Sequence, residues 1–177
     1  AAAERAGAVV VQHRPGYNNV IIKRARDDAK ERGWKEIPFG MECEEAITQT
    51  REQVPERFPD GVKRLVVSVG SGMSMSGLLW GLVDQGLAIP VLGVKVGAEP
   101  HKRIEKYAPP DWKERVTLVS SGSDYHKAYD EPVFGGILFD PHYEAKALPF
   151  LQDGDCFWVI GIRQKSGIIP SHLSAES

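Results

Sequence analysis

The residues best suited to chemistry in this 177-residue sequence form a glycine-rich stretch, GSGMSMSG, at residues 70–77. Two of its glycines, Gly70 and Gly72, permit positive φ angles and a close approach of the backbone to a ligand. Three serines add hydroxyl donors with little bulk, and no lysine lies within the stretch. The preceding segment predicts a buried strand and the following one an apolar helix, whose first amides and positive dipole end would face the turn. The stretch therefore predicts a phosphate site built from backbone amides and hydroxyls.

Two widespread phosphate motifs do not fit this stretch. A P-loop ends in Gly-Lys-Ser or Gly-Lys-Thr, and the dinucleotide fingerprint needs a third glycine where this sequence has Met75. A glycine-rich strand-to-helix turn that binds no ligand is the structural alternative. The helix-terminus anion site is the more specific interpretation, because such turns commonly bind anions.

The elements around the turn predict an α/β fold in three layers, with a mostly parallel sheet and helices on both faces. Apolar segments predict five strands, at residues 65–69, 90–96, 116–119, 137–139 and 156–162, and two shorter strands, at residues 8–11 and 35–40. Amphipathic or apolar segments between them predict helices before Gly33 and at residues 44–54, 78–83, 101–107 and 143–150. Strands that alternate with helices favour this architecture, here as one α/β domain over residues 1–177.

Composition excludes several classes of protein. The chain has 22 basic and 24 acidic side chains, a formal charge of −2, so it carries no overall field for nucleic acid or an anionic membrane. Its apolar runs are shorter than the roughly 20 residues that a spanning helix needs. The two cysteines, Cys43 and Cys156, match no paired metal-binding spacing and favour a reducing, cytoplasmic setting. No metal site is predicted.

Three segments, in order along the chain, share a pattern with one enzyme family. They are IPFG at residues 37–40, VVSVGSGMSMSGLLWGL at residues 66–82 and GILFDPHYEAKA at residues 136–147. They resemble the IPxG step, the GSGGTxAGLxxGL loop and the G-[IV]-x-L-D-P-[VI]-Y-T-G-K-A motif of certain pyridoxal-phosphate enzymes. These enzymes are of the tryptophan synthase β type (fold type II), in the branch of aminocyclopropane-carboxylate deaminase and D-cysteine desulfhydrase.

This resemblance implies a function and a set of site residues. It implies a lyase or deaminase that uses pyridoxal 5'-phosphate and acts on a small amino acid, and a homodimer is among the assemblies that it allows. Tyr143 would face the substrate as a catalytic residue. The residues implied to line the cofactor phosphate are Gly70, Ser71, Gly72, Met73, Ser74 and Gly77.

The lysine that forms the Schiff base with the cofactor in this family has no counterpart here. Family members carry it in their amino-terminal half, whereas this match begins near the last strand of the family's smaller domain. Lys146 lies in the third motif, but its family equivalent is not the Schiff-base lysine. Gln164 or Ser166 would replace the family threonine near the pyridine nitrogen. We therefore expect the carboxyl-terminal part of a longer enzyme, which alone is inactive.

Two other functions stay open at this stage. Type I phosphoribosyltransferases also place a phosphate loop after a strand, but they end that strand in two acidic residues where this sequence has Ser68 and Val69. A non-enzymatic homologue could keep the fold and bind a phosphate ligand without chemistry. An absorbance band from bound pyridoxal phosphate, or turnover of a ribose phosphate, would separate these readings.

Overall fold

A computed structural model describes residues 2–5, 7–97 and 99–161, and the chain divides into two compact units, Ala1–Phe39 and Gly40–Ser177. The first unit contains helices α1 (Ala2–Arg5) and α2 (Asn18–Glu31). Helix α2 is followed by Gly33 at a φ of 68°, as the sequence predicts.

The two short strands predicted at residues 8–11 and 35–40 are wrong. The first segment is irregular, and the second ends in a single 3-10 turn, Phe39–Met41. A strand needs a neighbour for its backbone hydrogen bonds, and neither segment pairs with one. The side chains of Val9 and Ile37 are 69% and 74% exposed, so apolar composition alone misled the prediction.

The second unit carries a four-stranded parallel sheet with the strand order β3-β2-β1-β6. Its strands are β1 (Arg64–Val69), β2 (Val91–Lys95), β3 (Val116–Ser120) and β6 (Asp155–Trp158). Its α-helices are α3 (Glu44–Glu52), α4 (Met73–Asp84), α5 (His101–Tyr107) and α6 (Trp112–Arg115). A two-stranded antiparallel hairpin joins β4 (Val133–Phe134) to β5 (Ile137–Leu138), and a 3-10 helix spans Glu144–Phe150. The predicted α/β class with a parallel sheet is confirmed.

Strand β1 is buried on both faces because its side chains alternate between two apolar clusters. Leu65, Val67 and Val69 pack in a cluster with Leu78 and other residues of α4. Val66 belongs to a second cluster, which includes Ala147 of the 3-10 helix. Helices therefore cover both faces of the sheet, and this explains why residues 65–69 read as an almost continuous apolar run.

Three predicted elements near the end of the chain differ in the structure. The strand at residues 137–139 lies in the hairpin instead of the main sheet, because Ile137 pairs with Phe134 across a turn of only two residues. The helix at residues 143–150 is a 3-10 helix with Pro149 inside it. Strand β6 is shorter than predicted and only half-buried, because among the described strands it has a neighbour, β1, on one side only. Residue 162 of the predicted strand lies outside the described residues.

Helices α3 and α4 approach closely at a glycine. A Cβ atom placed on Gly77 would lie 2.6 Å from the Cβ atom of Thr50 and 2.8 Å from the carbonyl oxygen of Ile47. Real Cβ contacts are not this short, so only glycine fits here, and α4 is fixed against α3 as well as against the sheet. In the part of the chain that the structure describes, no helix has the length and apolar character needed to cross a membrane.

Candidate functional site

The turn between β1 and α4 requires glycine at its centre. Gly72 is the N-cap of α4 and has a φ of 89° and a ψ of −7°, a conformation that residues with a Cβ atom avoid. A Cβ atom here would also lie 2.7 Å from Cγ1 of Ile104 on α5. Helix α4 begins at the next residue, so its first amides lack intrahelical acceptors and point toward the turn. This geometry is suited to an anion.

Five of the six predicted phosphate residues lie in this turn or in the first two positions of α4: Gly70, Ser71, Gly72, Met73 and Ser74. The Ser71 hydroxyl accepts a hydrogen bond of 3.4 Å from the amide of Met73. The Met73 side chain is buried, so this residue offers a ligand only its amide. Gly77 lies one turn further along α4 and contacts α3 instead, as described above.

Tyr143 lies against the same turn. A Cβ atom on Gly70 would be 3.0 Å from both Cε2 and Oη of the tyrosine, so the ring occupies the space that a larger residue would need. The Tyr143 hydroxyl donates a hydrogen bond of 3.2 Å to the carbonyl oxygen of Ser68. Burial raises the pKa of Tyr143 well above its ordinary value, so the phenol stays protonated in neutral solution.

A cleft of about 550 Å³ opens beside Tyr143. Its other lining residues are Tyr125 and His126 in the loop after β3, Asp140 and His142 after β5, Glu144 at the start of the 3-10 helix, and Gly161 after β6. The strand order reverses between β1 and β6, and Gly70 and Gly161 follow these two strands. The crevice outside the carboxyl ends of strands at such a reversal is where open α/β sheets bind ligands.

Glu144 is the most buried acid of this cleft, with 4% of its surface exposed. Its Oε1 atom accepts a hydrogen bond of 3.2 Å from the amide of Gly161. Burial raises the pKa of its carboxyl above the ordinary value because the charged form loses hydration. The cleft therefore contains an acid that releases its proton less readily than a surface glutamate.

We expect Glu144→Gln to change how stability depends on pH. The raised pKa means that the folded state holds a proton that the unfolded state has lost, so wild-type stability falls as pH rises from the ordinary value of 4.5 through the raised one. Glutamine keeps an oxygen for the Gly161 amide and does not titrate, so the variant should lack this decline. Urea unfolding of both proteins between pH 4 and pH 8 measures the difference, and parallel curves would contradict the assignment.

Lys146 is buried as well, but its amine is engaged. Its Nζ atom donates hydrogen bonds of 2.6 Å to the carbonyl oxygen of Asp124 and 3.1 Å to that of Tyr125. An amine held by two carbonyls is not presented to the cleft as a nucleophile.

Sequence reasoning missed several residues of the cleft. It named no candidate residue among Tyr125, His126 and His142, yet all three line the cleft. The position of His142 beside Tyr143 was the one available signal. Gln164 and Ser166, the predicted substitutes for the family threonine, lie outside the described residues. Among the residues that are described, no group of three or more His, Cys, Asp or Glu side chains could hold a metal ion.

Comparisons with known proteins leave the function to be argued from this geometry: neither the family models nor the curated proteins that were searched gave a match.

Proposed function

We propose that this chain binds the phosphate of pyridoxal 5'-phosphate at the Gly70 to Ser74 turn. In this proposal the chain is part of a fold type II lyase or deaminase that acts on a small amino acid in the cytoplasm. One observation carries it. Gly72 has a positive φ and directly precedes the first residue of α4, and the turn lies against Tyr143 of the cleft at the strand-order reversal. The sequence resemblance adds the identity of the ligand.

The residues of the turn fit a phosphate group. The first amides of α4, the hydroxyls of Ser71 and Ser74, and the positive helix end all favour a dianion. The arginine of α5, Arg103, is paired with Glu42 at 2.7 Å, so the site would rely on dipoles and hydroxyls more than on a cationic side chain. This agrees with the lack of lysine in the turn.

The described residues suggest a division of roles around a bound cofactor. Pyridoxal phosphate supplies an electron sink for negative charge that develops on an amino-acid substrate. The turn would anchor its phosphate, and Tyr143 would hold a proton at Oη beside Gly70. The Lys146 amine is committed to carbonyls. We therefore expect the chain by itself to bind the cofactor without turnover.

The hydrogen bonds that engage the Lys146 amine also favour a second candidate function, which is binding without catalysis. In this reading the chain binds a phosphorylated ligand and performs no chemistry. The phosphoribosyltransferase alternative is weaker, because Ser68 is buried at the end of β1 and no acidic pair stands there to bind ribose hydroxyls. Measurable deamination of a small amino acid by this chain would contradict both the binding-only reading and our expectation for the isolated chain.

We expect Ser74→Asp to weaken binding of pyridoxal phosphate roughly 30-fold, because it places a negative charge beside the phosphate in a partly screened site. The same change should not unfold the protein, since a carboxylate at the second position of a helix interacts favourably with the helix dipole. Quenching of tryptophan fluorescence during titration with pyridoxal phosphate measures the affinity.

Two control variants separate charge from size and position. Ser74→Asn has nearly the same size without the charge and should bind with an affinity near wild type. Asn19→Asp adds the same charge at the second position of α2 and should leave affinity unchanged. Pyridoxal without its phosphate should bind much more weakly to the wild type. Equal binding of the two ligands, or an unaffected Ser74→Asp variant, would show that the turn does not bind the phosphate.

A further inference from the structure

We propose that Lys146 is a positioning residue, which fixes residues 124–126 so that Tyr125 and His126 form a wall of the cleft. The inference rests on the proposed function, because this wall faces the cleft beside the phosphate turn. Neither phosphate binding nor the acidic residues of the cleft explain why the ammonium group of Lys146 is buried, and this role does.

Three interactions of Lys146 converge on this one segment. The ammonium donates to the carbonyl oxygens of Asp124 and Tyr125, at 2.6 and 3.1 Å. It also lies 5.6 Å from the centre of the Tyr125 ring, within the range of a cation–π contact. A single side chain on the 3-10 helix thus contacts both the backbone and the ring of the cleft wall.

The burial of this ammonium makes the contacts energetically necessary. Lys146 is 2% exposed, and the hydrogen-bond partners of its Nζ atom among the described residues are carbonyl oxygens and not carboxylates. A buried charge without hydrogen bonds is strongly destabilising, because nothing replaces the hydration that it has lost. The two carbonyl groups supply the compensation, so the ammonium and the segment hold each other in place.

Other described hydrogen bonds of the segment are local to it. The Lys127 amide donates to the Asp124 carbonyl at 3.1 Å, and the His126 amide donates to the Asp124 carboxylate at 2.8 Å. These bonds shape the turn without attaching it to the rest of the unit. The Tyr125 ring also packs over Gly97, a contact that leaves the backbone of the turn unfixed. Loss of the ammonium should therefore loosen this wall selectively.

Hydrogen exchange tests the anchoring without any ligand. In Lys146→Met, which keeps the length of the side chain and removes its donors, amides of residues 122–128 should exchange at least about 10-fold faster. Amides of β1 should exchange as in wild type, and Lys146→Arg, which can also donate to carbonyls, should restore much of the protection. Unchanged exchange in residues 122–128, or equal acceleration in β1, would overturn the proposal.

Ligand binding then separates this inference from the proposed function. Lys146→Met should weaken pyridoxal phosphate about 5-fold and leave inorganic phosphate unchanged, because only the larger ligand reaches beyond the turn to the wall. Ser74→Asp should weaken both. A wild type that binds neither ligand would refute the proposed function while the exchange result still decides the role of Lys146. Equal weakening of both ligands by Lys146→Met would count against positioning.

A measurement on the wild type covers the case in which Lys146→Met does not fold. Nitrogen-detected NMR of the lysine ammonium groups should show one resonance that exchanges slowly with water, assigned to Lys146 by its loss in Lys146→Arg. Fast exchange of every ammonium group would contradict the buried, carbonyl-bound state on which the inference depends.

Discussion

Gly72→Ala should lower the free energy of unfolding by about 3 kcal/mol, the sum of a left-handed backbone penalty and overpacking. The backbone penalty comes from the φ of 89° at this residue. The overpacking comes from Ile104, whose Cγ1 atom would lie 2.7 Å from the new Cβ atom. Urea unfolding followed by circular dichroism gives the free energy, and phosphate binding should fall with it because the turn must shift.

Gly86→Ala is the matched control, because Gly86 follows the other end of the same helix. It also has positive φ, at 62°, but no atom lies within 4 Å of the added Cβ position. We expect a loss of about 1 kcal/mol, from the backbone alone. A double-mutant cycle of Gly72→Ala with Ile104→Ala should reveal a favourable coupling as the clash is relieved. Equal losses for the two glycine variants would show that the contact with α5 is unimportant.

Asp155→Asn should cost about 2–3 kcal/mol at neutral pH, because removing one partner leaves a partly buried arginine without its counter-charge. Asp155 accepts hydrogen bonds of 2.9 and 2.5 Å from Nε and Nη2 of Arg64. The resulting ion pair joins the amino ends of β1 and β6. The aspartate side chain is 5% exposed and the arginine 25%. Two parallel bonds of this kind are stronger than a single contact between exposed charges.

The pH dependence of Asp155→Asn has a definite sign. The Arg64 hydrogen bond holds the pKa of Asp155 below its ordinary value of 3.8. Its contribution is therefore complete above the ordinary value and is lost as pH falls through the lowered one, so the two proteins should converge in strong acid. Asp60→Asn removes an exposed pair with Arg57 and should change stability by less than about 0.5 kcal/mol. A constant difference at all pH values would contradict this account.

The sequence predicted the centre of the second unit well, for a physical reason. Strand β1 is covered on both faces, so it needs apolar residues at every position, and α4 must start with glycine because of its turn. Such constraints act on neighbouring residues and are visible in a single segment. Residues 8–11 are equally apolar but have no neighbouring strand to pair with among the described residues. Whether a segment finds such a neighbour depends on distant parts of the chain, so a local sequence pattern cannot predict it.

The candidate site was less predictable because it depends on contacts between distant residues. The sequence pattern assigned Gly77 to the phosphate loop. The close approach of Thr50 shows that this glycine instead allows two helices to pack together. Glu144 and Lys146 look like surface charges, since charged residues are mostly exposed. Their burial arises where the 3-10 helix covers the sheet. Tyr143 was named by resemblance alone, and the structure adds that its ring lies against Gly70.

The pairing of β1 with β6 makes this fold vulnerable during synthesis. Arg64 and Asp155 are register partners that lie 91 residues apart in sequence, so the most apolar strand has one open edge until nearly all the described chain has emerged from the ribosome. An open, apolar strand edge can pair with another chain, and pairings between distant segments form slowly. Nascent or truncated chains that lack β6 should therefore depend on chaperones and aggregate when these are scarce.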